Sequence, residues 1–199
     1  MNRPDDPVSR VAEPLARILS IAVGWGILLF SLAMTAEIIG RKLFATSFKG
    51  MDELGGFVLA IGAAAGASYT MALRAHTRVD VFLVRLPQAA QRLLNVLALL
   101  ALAGFAVYAA WRGWAVLEET IEFSSSAPNL GIPLFYPQAA WVAGIWLFAA
   151  IASAYALHAL YLLVTRRPGI NALYGPPSAD DEIAAELKAL KERGGARAP

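Results

Sequence analysis

The chain has 199 residues, 58% hydrophobic and only 16% charged, where a soluble domain carries about a quarter charged residues; this excludes an ordinary soluble globule. It has no cysteine and two histidines, His76 and His158, which excludes disulfides and thiolate metal centres and leaves too little for a histidine-built one. The net charge of +2 fits basic residues on the cytoplasmic side of a membrane better than nucleic-acid binding.

Residues 1–17 form a polar leading segment with Arg3, Arg10 and Arg17. Charge-free apolar runs follow at 18–36, 54–73 and 93–111. A fourth stretch begins with the polar, proline-broken "FSSSAPNLGIPLFYP", so its span is 138–165. Each run has the roughly 20 residues needed to cross about 30 Å of hydrocarbon as a helix. Lipid offers the backbone no hydrogen-bond partner, so each must be helical. The first run exceeds a signal-peptide core and no small-x-small cleavage site follows it, so it reads as an uncleaved span. The fold class is therefore all-α, an integral membrane four-helix bundle spanning 18–165.

Orientation follows from the basic residues. With both termini cytoplasmic, thirteen of the 17 Lys and Arg lie inside. The outer loops keep Arg41, Lys42, Lys49 and Arg112, and the last outer loop is acidic, with Glu118, Glu119 and Glu122.

Between spans 2 and 3, "HTRVDVFLVRLP" is too charged to cross. Val79, Phe82, Leu83 and Leu86 share one helical face. Thr77 and Asp80 have capping-box spacing, and Pro87 ends the pattern. The segment reads as a short amphipathic helix on the inner membrane surface. In the second span, Gly62 and Gly66 stand four apart in "GAAAG". Small residues at that spacing let helices approach closely in lipid. The neighbour is either a helix of this bundle or one of another subunit. Phe135, Tyr136 and Trp141 suit an outer aromatic belt.

The tail, 166–199, is cytoplasmic. Ser178 suits the cap of a helix of about 14 residues, with Ile183, Leu187 and Leu190 as its narrow apolar stripe. Ionisable residues within spans mark functional sites by default, and they are nearly lacking here. Glu37 and Arg41 are spaced to pair at the outer interface. Asp52 and Glu53 sit where a helix dipole favours carboxylates. His158 reads as a buried, neutral, hydrogen-bonded histidine. No phosphate-binding loop is present, and no midplane polar site on broken helices. Nothing reads as a catalytic, cofactor or metal site. The residues alone describe a membrane scaffold.

The run "DELGGFVLAIGAAAGASYTMALRAHTRVDVFLVRLP", from Asp52 to Pro87, resembles the small membrane subunit of tripartite ATP-independent periplasmic (TRAP) transporters. In that family a Glu opens the second span, a Gly sits mid-span, an Arg closes it, and a His-x-x-x-Asp follows. Here these are Glu53, Gly62, Arg74, His76 and Asp80. "GRKLF" after the first span and "LGIP" before the fourth also resemble the family, and the likeness covers about residues 15–165. Where members often carry a Trp three residues before the Glu, this chain has Gly50.

The resemblance implies a small, non-catalytic permease subunit of the bacterial inner membrane, without cofactor. It implies two protein partners, a large many-span subunit carrying the transport site and a periplasmic binding protein delivering an organic acid. Uptake would draw on an ion gradient, and the small subunit would widen a fixed scaffold. Arg74, His76 and Asp80 would organise the turn after span 2, while Glu53, Gly62 and Gly66 would anchor or contact a neighbour. Two other classes, a haem or quinone membrane anchor and a self-sufficient exporter, predict respectively an absorbing cofactor and transport by this chain alone.

Overall fold

The computed structural model describes residues 7–44, 49–73, 83–165 and 170–175, together with Leu187 and Leu190. Four long helices dominate: α1 (Pro7–Phe44), α2 (Met51–Ala72), α3 (Gln88–Glu122) and α4 (Phe135–Val164). A five-residue helix, α5 (Ile170–Tyr174), follows. All four long helices are long and apolar enough to cross a membrane. The expected all-α membrane bundle is what forms.

The helices outrun the charge-free runs that announced them. At about 1.5 Å per residue, the 38 residues of α1 and the 35 of α3 exceed the hydrocarbon thickness. α3 continues through Arg112, Glu118 and Glu119 to Glu122. No proline interrupts that stretch, and charged side chains at a helix end reach the headgroups. α4 begins at Phe135, with Pro137 in its first turn, where a missing N–H costs no helical hydrogen bond.

In space the helices follow the order α1, α2, α4, α3. α1 packs on α2, α2 on α4 and α4 on α3, and α1 touches α4 only lightly. Among the described residues the backbone of α3 lies close to neither α1 nor α2. The bundle is thus open, with α1 and α3 at its edges. One end carries Pro7, α5 and the start of α3, the terminal end. The other carries the α1–α2 and α3–α4 connections, the loop end.

Alanines set the spacing of the buried seam between α3 and α4. Ala103, Ala106 and Ala110 on α3 and Ala149, Ala152, Ala156 and Ala159 on α4 belong to the core. With lipid outside, apolar burial drives little, and close packing of small side chains holds helices together. α1 behaves differently. Ser20, Val23, Ile27, Phe30, Met34 and Glu37 form one partly or fully buried stripe at helical spacing. Between Ala16 and Glu37 no residue of α1 is buried.

The surface helix expected between spans 2 and 3 falls mostly outside the described residues. Its described part, Leu83–Arg85, is a single 3-10 turn. In the tail, Leu187 and Leu190 are helical and exposed.

Candidate functional site

Glu53 occupies the first turn of α2, with Asp52 beside it. Its carboxylate binds the chain's own α3–α4 connection. Oε1 accepts the backbone N–H of Asn129 at 3.0 Å and its side-chain amide at 2.8 Å. Oε2 accepts the N–H of Leu130 at 3.1 Å. A carboxylate is the side chain with enough acceptor sites to take three donors at once.

The connection it grips is folded in itself. Ala127 donates its N–H to Ile132 O at 2.9 Å, and Gly131 donates to Ala127 O at 2.8 Å. Leu134 donates to Ser125 O at 3.0 Å, and Ser126 and Pro133 form an isolated antiparallel bridge. Gly131 has φ +67° and Ser124 φ +48°, and the Ala127 side chain is buried. Left-handed φ at two positions lets twelve residues fold back without helix or strand.

Gly50 makes the same contact from below. It precedes α2 with φ +90° and ψ 2°. A Cβ there would lie 2.5 Å from Leu130 Cγ. The Leu130 side chain thus rests on the bare glycine while its N–H meets Glu53. The loop geometry requires glycine at this position on both counts.

The two glycines of "GAAAG" in the second span face different surroundings. Gly62 lies against α1, where a Cβ would come 2.8 Å from Ile27 Cδ1 and 3.8 Å from Val23 Cγ1. Gly66 has nothing within 4 Å of where its Cβ would be. The close approach of α2 to α4 uses other residues. A Cβ on Gly144 would come 2.8 Å from Ala64 Cβ. The Ser68 hydroxyl, fully buried, reaches Ala64 O at 3.0 Å and Gly144 O at 3.1 Å. Sequence reading missed Gly144, whose only signal was a lone glycine in the apolar "WVAGIW".

Glu37 and Arg41 pair at 2.7 Å on α1, with Glu37 buried and Arg41 half-exposed. On α3 the Trp114 indole donates to Glu118 Oε1 at 2.7 Å. At the terminal end, His158 Nδ1 is hydrogen-bonded to the Tyr174 hydroxyl of α5. Arg74, His76 and Asp80 lie outside the described residues. Among the described residues no group of His, Asp and Glu is placed to hold a metal ion.

The geometry brings together a polar latch at the loop end, apolar helix centres, and a second polar cluster at the terminal end. In sequence, no Asp, Glu, Lys or Arg lies between Arg17 and Glu37, between Glu53 and Leu73, between Arg92 and Arg112, or anywhere in α4. The helix centres are thus free of the charged side chains that are costly within a bilayer. Comparison with curated proteins gave no match. A family model described as tripartite ATP-independent periplasmic transporters, DctQ component, matches residues 30–165. That stretch runs from the loop-end half of α1 to the end of α4, and includes both Glu53 and its loop. The chain belongs to this family and is a multi-pass membrane protein, the small permease component of a TRAP transporter.

Proposed function

We propose that this component does no chemistry of its own and widens the fixed part of an ion-gradient-driven uptake system for organic acids. Its partners on this reading are a large multi-span membrane subunit, which carries substrate and ion sites, and a periplasmic binding protein. The supporting observation is the open row of helices. α1 spends one stripe on α2 and leaves Trp25, Leu28, Leu29 and Leu32 exposed, and α3 leaves Phe105, Tyr108 and Trp111 exposed at the other edge. Two edges clothed in large apolar side chains suit a slab that continues a neighbouring protein laterally within the bilayer.

The chain sits in the bacterial inner membrane on this proposal, with the terminal end cytoplasmic, because most Lys and Arg lie at that end. Residues 18–165 are the membrane domain, between cytoplasmic segments 1–17 and 166–199. Glu53 serves the partner indirectly, by fixing the α3–α4 connection that faces the periplasm. Gly66 belongs to the surface open to a neighbour. Arg74, His76 and Asp80 organise the cytoplasmic turn after α2.

Co-expression with the large subunit and the binding protein tests this reading. A tagged chain should retain the large subunit in mild detergent. Vesicles holding both membrane subunits and supplied with the binding protein should take up an organic acid under an ion gradient and stop when an ionophore collapses it. Uptake by vesicles holding this chain alone, or failure to retain the large subunit, would refute it.

A further inference from the structure

At the terminal end, α5 touches helices far from it in sequence. Ile170 and Tyr174 are buried, and both belong to the same core as Met71, Ala72 and Val96. Asn171 supplies the polar contacts. Its Oδ1 accepts from Asn95 Nδ2 at 3.2 Å, and its Nδ2 donates to Gln88 O at 3.3 Å. Asn95 itself is buried in α3. Tyr174 meets α4 twice, through its hydroxyl on His158 Nδ1 and through its ring edge-on to Tyr155 at 6.0 Å. Tyr155 in turn donates its hydroxyl to Ala72 O at the end of α2, at 2.9 Å. Five residues therefore connect the start of α3 to the end of α4, whose Tyr155 is bonded in turn to the end of α2.

We propose that α5 is a releasable clasp. Docked, it holds the terminal ends of α3 and α4 at a fixed spacing through the contacts of Asn171 with α3 and of Tyr174 with α4. Undocked, it lets those ends separate while the Glu53 latch and the alanine seam hold the rest of the bundle. The physical reason is cooperativity. A five-residue helix has no stability of its own in water, so α5 is helical only while docked. Docking and helix formation are one event, which makes a two-state element. Elements with few contacts and their own polar anchors open at lower free energy than the core they rest on. The open state carries a consequence for assembly, because it loosens the α3–α4 spacing at the end where the chain continues into its tail.

The absence of cysteine supplies a clean test in the full chain, in membranes. Val96→Cys places a buried thiol on α3 beside Asn95, in the core that Ile170 and Tyr174 share, and Val142→Cys, equally buried at the loop-end half of α4, serves as control. Both replacements remove volume and fit their sites. N-ethylmaleimide labelling should be slow at both positions in the otherwise unchanged chain. With Asn171→Ala and Tyr174→Ala combined, labelling at 96 should rise about tenfold or more while 142 stays slow, as local opening requires. Tyr174→Phe, which keeps the ring and loses the hydroxyl, should raise labelling at 96 by a smaller factor. Unchanged labelling at 96 in the double variant overturns the proposal, because α5 then fixes nothing. Equal acceleration at both positions also overturns it, because α5 is then part of one global unit and not a clasp.

Discussion

Glu53 and Asn129, 76 residues apart in sequence, are joined by two hydrogen bonds to one carboxylate oxygen, one from the Asn129 backbone and one from its side chain. The pair ties the start of α2 to the connection between α3 and α4. It links two helices, α2 and α3, whose backbones do not run side by side. Charge-assisted hydrogen bonds contribute about 1.5–3 kcal/mol when buried, and this pair is largely exposed, so its contribution is nearer 1 kcal/mol.

Glu53→Ala and Asn129→Ala should each lower stability by about 1 kcal/mol, and the double variant should lose much less than the sum. Unfolding titrations in detergent measure all three. Glu53→Gln should fall between, since an amide keeps one acceptor oxygen and turns an N–H₂ towards donors. Additive losses would show that Glu53 acts elsewhere than on this loop.

Gly50 should be intolerant of alanine for two separable reasons. A side chain at φ +90° costs about 1 kcal/mol in backbone strain. Overlap with Leu130 adds about 1 kcal/mol or more. Gly50→Ala should therefore cost about 2 kcal/mol alone and about half of that in a Leu130→Ala background. The same unfolding titration reads the difference, and an equal loss in both backgrounds would remove Leu130 from the account.

At the α2–α4 contact, the ranking of two variants is the prediction. Gly144→Ala sets two Cβ atoms and rigid backbone against each other, and neither can rotate away. The helices must part, at about 1–3 kcal/mol. Ser68→Ala removes a hydroxyl shared between two carbonyls, a kind of bond that averages about 0.6 kcal/mol within membranes. Gly144→Ala should thus be the more damaging, by detergent unfolding and by loss of expression in membranes. A reversed order would mean that α2 and α4 separate easily and that Ser68 is what joins them.

Much of this was legible from charge and hydropathy, because a membrane imposes a simple rule on both. The four spans, the pairing of Glu37 with Arg41 and the family all follow from order and spacing along the chain. What the sequence concealed is which partner each residue meets. Glu53 reads as a dipole-stabilised carboxylate at a helix start, and nothing local announces a loop 76 residues away. Gly62 and Gly66 look alike in sequence but differ in contact, since four residues on a helix turn by about 400° and the row of helices is open. Gly144 has no motif around it. α5 stands beyond the last apolar run, and its helix exists only through contacts that local propensity does not encode.

Gly62 and Gly66 therefore separate folding from assembly. Gly62→Leu drives a large side chain into Ile27 and Val23 of α1, so it should destabilise the isolated chain by about 1–3 kcal/mol. Any loss of the large subunit in a pull-down would then follow from a displaced α1. Gly66→Leu enters open space and gains helix propensity. It should leave the isolated chain's stability within about 0.5 kcal/mol of the parent. If the surface at Gly66 receives a partner helix, the bulk of leucine blocks close approach, and co-purification should drop while stability does not. If that surface faces lipid, co-purification survives and the partner must meet the bundle at an edge, on α1 or α3. Pull-downs and unfolding titrations on the same two variants distinguish these outcomes, because only a true contact surface dissociates the two measurements.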